Sequence, residues 1–189
     1  MTCRLEKVAA IVVLNRSALP VARKLQNSLP VSEIHGLYGR IHEADVLFEK
    51  TSSHLQVLFE RAQPIIGICG SGILIRSLAP VIGQKSLEPP VIAVAQDGSI
   101  AVPLLGNHRG GNRIATEISN ILNSTIAITT ASDNQFGIAL DDPPSGYHLQ
   151  NPEDLKHFTA QLLSGSQIRS ANLPRWITAG RPPLSKSGT

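Results

Sequence analysis

The sequence predicts an α/β protein: a Rossmann-like layered fold with a mixed, mainly parallel sheet, one β-hairpin and a small C-terminal appendage. Three observations predict it. Residues 8–14 (VAAIVVL) and 64–68 (PIIGI) are continuous apolar runs rich in branched side chains, the pattern of strands buried on both faces. Each run passes through a short turn into residues of helical spacing, which is how a doubly wound sheet is built. Asp97-Gly98 separates two further apolar runs, 91–95 and 100–104, and Asp-Gly in that place is a strong hairpin signal, so one portion of the sheet should be antiparallel.

In chain order, the strand at 8–14 is followed by Asn15-Arg16-Ser17, a turn with capping side chains, and by Val21, Ala22, Leu25 and Leu29 as a helix stripe. Residues 33–37 and 44–48 predict two more strands. Ser53 is placed to cap a helix carrying Leu55, Leu58, Phe59 and Ala62. The strand at 64–68 runs into Gly67-Ile-Cys-Gly-Ser-Gly-Ile and then an apolar helix over 73–79, which Pro80 should stop. A type I′ turn is expected at Asp97-Gly98. Beyond Gly106–Gly111 come Ile114, Ala115, Ile118, Ile121 and Leu122, one face of a helix. Residues 125–130 read as a last strand. Asn151 then caps a helix with Pro152 at its first position, Leu155, Phe158 and Leu162 as its buried face and Gly165 as its end. This divides the chain into an α/β domain over 1–140, a small helical spacer over 141–178 and a linker or disordered tail over 179–189, with no internal repeat.

Composition excludes several classes. Hydrophobic residues make up 42% and charged residues 16%, which is globular rather than disordered. Aromatics are 4%, so Ile, Leu, Val and Ala must build the core. A net charge of +3 without a Lys/Arg stripe is too weak for a nucleic-acid partner, and suits a small anionic ligand held by a few arginines. Cys3 and Cys69 cannot make a disulfide framework. No apolar run approaches the ~20 residues of a membrane span, and the N-terminus lacks a leader pattern, so a cytoplasmic protein without a membrane partner is expected.

Three loops follow strand ends. Gly67–Gly72 opens a helix whose first N–H groups could meet an anion, with Arg76 one turn on; a tight turn and a solvated arginine are the plainer readings. The spacing is neither the dinucleotide fingerprint nor a P-loop, which argues against a nucleotide binder. Cys69 has no histidine or acid near it in sequence and reads as a small buried residue. In Leu104-Leu-Gly-Asn-His-Arg-Gly-Gly-Asn-Arg, glycines bend the backbone and set His108 and Arg109 at its crest. A neutral His can take a proton from water, and Arg can hold a carboxylate in a fork. Thr129, Thr130 and Asp133 could cap the next element or bind polar groups. His35, His42, His54, His148 and His157 show no metal-ligand spacing, and no protein metal site is expected.

GICGSGILIRSLAP, EPPVIAVAQDGSIAVPLLGNHRGGNRIATEI and AITTASD, in that order over residues 66–133, resemble the N-terminal domain of the CbiG family of anaerobic cobalamin synthesis. The chain departs from that family at Gly106-Asn107, where Ser-Gly is usual, and at Asn112-Arg113, where Ala-Asn is usual. The segment 136–176 resembles the spacer seen where such sequence is fused to a precorrin-3B C17-methyltransferase.

The resemblance implies cobalt-precorrin-5A hydrolase activity, opening a δ-lactone with loss of acetaldehyde. The cobalt arrives in the substrate, and no cofactor is implied. On this reading His108 is the general base. Gly70, Ser71, Gly72, Gly110 and Gly111 offer backbone donors, Arg76 and Arg109 clamp carboxylates, and Asp133 meets polar groups. Partners are an anionic cobalt-corrinoid and, by fusion or association, other enzymes of cobalamin synthesis. The competing reading is a non-catalytic module that binds corrinoid intermediates. All of this expects the two glycine loops to converge at one sheet edge.

Overall fold

Ala9–Val13 form strand β1, and every one of these residues is fully buried, because the strand lies at the middle of a sheet covered on both faces. The computed structural model describes residues 7–85, 87–144, 146–169 and 172–185; the side chain of His108 and the terminal Cys3 lie outside the described residues. The chain forms two units, Met1–Ala127 and Ile128–Thr189.

The first unit alternates as expected: β1, α1 (Leu19–Ser28), β2 (Ser32–Leu37), β3 (Val46–Phe48), α2 (Thr51–Glu60), β4 (Ile65–Ile68), α3 (Ser71–Leu78), β5 (Val91–Val94), β6 (Ile100–Leu105), α4 (Gly111–Leu122) and β7 (Thr125–Ile126). The strands form one sheet in the order β3-β2-β1-β4-β5-β6-β7. All neighbouring pairs are parallel except β5 with β6. The fold is therefore α/β with a mixed, mainly parallel sheet and one hairpin.

Alternate residues of the strands serve opposite faces. Ile11, Val13, Ile34, Ile66, Ile68, Ile92 and Val94 pack with Ala22, Leu25 and Leu29 of the α1 side and Ile114, Ala115 and Ile118 of α4. Ala10, Val12, Ile65, Val91 and Ala93 pack with Leu55, Leu58 and Phe59 of α2 and Leu74 and Leu78 of α3. Ile, Leu, Val and Ala dominate both clusters, as the low aromatic content requires.

Gly67 explains how closely α3 sits on β4. A Cβ there would fall 2.7 Å from Leu74 Cδ2 and 2.9 Å from Cδ1, and Leu74 is fully buried with no room to turn aside. Gly67→Ala is expected to destabilise the first unit by about 1–3 kcal/mol through overpacking, checked by thermal unfolding.

Several sequence expectations are corrected. Helix α2 starts at Thr51, with Lys50 rather than Ser53 at its N-cap. At the hairpin, Gly98 N–H donates to the Ala95 carbonyl and only Gly98 has positive φ, so the turn is not type I′, which requires it at both central residues. Strand β7 stops at Ile126 instead of Thr130, and it pairs with β6 only at Ile100 and Ala101.

The second unit contains α5 (Ala131–Phe136), α6 (Leu155–Leu163) and α7 (Arg175–Thr178), of which α5 and α7 were not expected. Its core is Phe136, Leu140 and Leu162, with Ile138, Leu155, Ile168 and Trp176 against them. Phe136 and Leu140 thus pack with the segment expected to be a separate spacer, and the boundary between units falls near 127 rather than 140. Helix α6 begins at Leu155, whose N–H bonds the Pro152 carbonyl in a preceding turn, so Asn151 and Pro152 do not start it. Phe158 is 40% exposed and not part of its buried face. The tail is held as far as Ser185: Ile168 N–H donates to the Pro183 carbonyl and Ser185 N–H to the Ile168 carbonyl.

Candidate functional site

The sheet order changes direction between β1 and β4, since β1 is followed by β2 on one side and the chain later returns to β4 on the other. Open α/β sheets bind ligands in the crevice beyond the carboxyl ends of such strands. Gly70 and Ser71 lie there. Gly70 is the N-cap of α3 with no side-chain cap, and the space a Cβ would take is open. The first N–H groups of a helix have no intrahelical acceptor, so Ser71 and Gly72 point donors and the positive end of the helix dipole toward this opening. Arg76 is exposed but folds back, its Nη1 donating to the Gly72 carbonyl at 3.1 Å.

Sequence reasoning missed the polar groups that share this edge. Asn15 and Ser17 follow β1, Arg40 follows β2, and Gln96 and Asp97 follow β5. Arg40 Nη1 lies 3.5 Å from Asn15 Oδ1, and Gln96 Nε2 donates to Ser17 Oγ. An open depression of about 430 Å³ is lined by Ser17, Gln96 and Asp97. The Ser99 hydroxyl and N–H hold the Asp97 carboxyl below its ordinary range. The signal that could have found these residues is their position directly after apolar strands.

Cys69, beside Gly70, is half-buried, and desolvation pushes its thiol up to about 11. It is a protonated thiol near neutrality and not a nucleophile. Its alkylation by iodoacetamide is expected to be slower at pH 7.5 than that of a free thiol with ordinary pKa and to accelerate steadily to pH 10; a rate that plateaus below pH 9 would contradict this.

The crest is built differently. Gly106 has φ of 72° and packs so tightly that a Cβ would fall 2.4 Å from the Pro89 carbonyl carbon and oxygen. Asn107–Arg109 form a single 3₁₀ turn, closed by Gly110 at φ of 86°. Gly111 has no room for a Cβ, which would meet the Leu105 carbonyl oxygen at 2.9 Å. The crest glycines are therefore required by the backbone itself. Gly110 N–H donates to the Asn107 carbonyl and Gly111 N–H to the Gly106 carbonyl, so neither is a free oxyanion donor, which corrects that expectation. Arg109 is exposed, with Nη1 donating to the Leu87 carbonyl at 3.2 Å. The structure places the His108 backbone in the 3₁₀ turn and says nothing of its imidazole.

The two loops do not converge. Because β6 runs antiparallel to β5, its end returns to the start of β5, beside Pro89 and Pro90. Gly70 lies beyond the opposite end of the same strands, about 15 Å away at the rise of an extended chain. The single cleft expected from sequence is not formed. Asp133 lies in the first turn of α5, within the second unit. Among the described residues no group of three or more His, Cys, Asp or Glu could hold a metal ion, and no helix is long and apolar enough to cross a membrane.

Residues 53–133 match the family described as Cobalamin synthesis G N-terminal. A cobalt-precorrin-5A hydrolase of Priestia megaterium is 24% identical over 168 residues, covering 84% of this chain and 45% of the relative. The enzyme of that name from Salmonella typhimurium is 35% identical over 78 residues, covering 41% of this chain and 22% of the relative. A Methanocaldococcus jannaschii protein named probable cobalt-precorrin-5A hydrolase is 27% identical over 89 residues, covering 47% and 28%. The matches span less than half the length of these relatives. The matched segment contains both glycine loops, the hairpin and helix α4, so the resemblance rests on the same residues that shape the two edges described above. Over this segment the chain is similar to the Cobalamin synthesis G N-terminal family and to relatives named cobalt-precorrin-5A hydrolase.

Proposed function

We propose that this chain acts on cobalt-precorrin-5A, opening its δ-lactone with release of acetaldehyde. The observation that carries the reading is the family match over residues 53–133, which takes in His108 and Arg109 on a crest whose glycines the backbone demands. Lactone opening needs a base that takes a proton from water as its oxygen adds to the carbonyl. His108 is the residue for that step. A substrate with several carboxylates needs cations that hold it without blocking the base. Arg109 is exposed beside His108 and can exchange its Leu87 carbonyl for a carboxylate. Cobalt enters as part of the substrate.

Gly70, Ser71, Gly72 and Arg76 belong to the other edge and cannot touch a lactone held at the crest. Their part in this reading is at most a separate anion contact. Asp133 lies in the second unit and is given no part in the crest site. The chain works in the cytoplasm, fused to or associated with other enzymes of the pathway.

One observation favours the second reading, a non-catalytic module that binds corrinoid intermediates. The Gly110 and Gly111 N–H groups are spent internally, so neither supplies the oxyanion donor that the hydrolase reading asks of them. One assay separates the two. The full chain is incubated with cobalt-precorrin-5A, acetaldehyde is trapped and counted, and corrinoid binding is followed by absorbance. Stoichiometric acetaldehyde over repeated turnovers supports the hydrolase. Binding without aldehyde supports the module, and neither result would leave the family activity with no footing in this chain.

A further inference from the structure

We propose that the paired imidazoles of His35 and His54 form an acid-released clasp that holds the first turn of α2 against the β2–β3 edge of the sheet. His35 stands in β2 on the face packed by α2 and is 4% exposed. His54 comes from the first turn of α2, and its Nε2 lies 2.8 Å from His35 Nδ1. The same His54 ring stacks on Phe48, the last residue of β3, with centroids 4.3 Å apart and planes within 4°. One side chain thereby ties together an inner strand, an edge strand of only three residues and the start of a helix. No other function described above uses either histidine.

A nitrogen of each ring faces the other, so one must carry the hydrogen and its neighbour must be bare. The pair keeps its bond with no added proton or with one. Two imidazolium rings would set N–H against N–H in a half-dry site. In the unfolded chain each ring takes its own proton near pH 6.5.

The groups around the pair bear on that balance. On β2, Glu33 Oε2 lies 3.7 Å from His35 Nε2. Asp45, ahead of β3, favours a charged His35, but desolvation outweighs it and His35 is shifted down. His54 is lowered to about 4, first by desolvation, then by His35, then by Arg61 at the end of α2. Both folded values thus lie below the unfolded one. From pH 6.5 down to about 4 the unfolded chain binds more protons, and stability is lost as pH falls. Above pH 6.5 the clasp contributes fully.

The test is thermal unfolding of the full chain and of a His35→Leu/His54→Phe variant at pH 7.5 and pH 5.0, with NMR titration of the histidine rings of the parent. The parent is expected to lose about 3–6 °C more in Tm between the two pH values than the variant does. Its His54 ring should titrate well below pH 6. Should the variant not fold, the ring titration stands alone, joined by amide exchange that speeds up in β3 and the first turn of α2 at pH 5.0 relative to β1 and β4. Equal pH dependence in parent and variant, or a His54 ring titrating near 6.5, overturns the proposal.

Discussion

On the proposed hydrolase reading, His108→Ala is expected to lower kcat/KM for acetaldehyde release from cobalt-precorrin-5A by about 10²–10⁴-fold, the usual contribution of a positioned general base. The acid limb of the pH–rate profile should vanish with it, because that limb reports the base becoming protonated in the free enzyme. Thermal unfolding of the variant is the control. The glycines and the Pro89 contact shape the crest through the backbone, so the fold should survive loss of the imidazole. A variant that retains kcat/KM within twofold of the parent removes His108 from the chemistry. A variant that loses activity but keeps the acid limb assigns the base elsewhere.

The largest loss of stability should come from Gly106→Ala. Positive φ at a residue with a side chain costs about 1–2 kcal/mol. The new Cβ would also lie 2.4 Å from the Pro89 carbonyl carbon and oxygen, which are backbone atoms and cannot swing away. The neighbouring Pro90 is fixed in turn, its carbonyl accepting the Ile65 N–H at 2.8 Å. Strain of this kind adds about 1–3 kcal/mol. The expected total of about 3–4 kcal/mol corresponds to a Tm lower by about 10 °C for a chain of this size. Gly70→Ala is the matched control. Its φ is −59° and nothing lies within 4 Å of the added carbon, so its Tm should stay near the parent's. Equal Tm values for the two variants would refute the packing argument at Gly106.

Most of the sheet was legible because its strands are short, unbroken apolar runs. β1, β4 and β5 are buried along their whole length, and short runs rich in branched side chains suit the strands of a doubly covered sheet. The apolar stripes of α1 and α4 were equally plain, since Leu25, Ile114 and Ile118 recur at helical spacing and all are buried. Helix starts were less so. Ser53 and Asn151 are good caps by residue type, yet Lys50 and Asp154 occupy the N-caps of α2 and α6, where no side-chain cap bond is made. Packing of Leu55 and Leu162 sets those helices, and the caps follow.

The site was half legible. The glycine loops were visible as motifs, and Gly106 and Gly111 do shape the crest. The error was to assume that every strand end points the same way. Asp97-Gly98 had already announced a reversal of direction, which puts the end of β6 opposite the end of β4. That consequence requires knowing that β5 neighbours β4, a fact of tertiary order that no local pattern carries. The same limit hid Pro89 as the surface against which Gly106 is fitted, and hid Arg40 and Gln96 beside the switch between β1 and β4.

The reversal at the hairpin also governs how the protein can change. The rim holding Gly70 and the rim holding His108 draw their side chains from different connections, with the whole thickness of the strands between them. Drift at one rim need not be answered at the other. A lineage could retune its grip on one kind of anion while leaving an older chemistry, a sheet's length away, undisturbed.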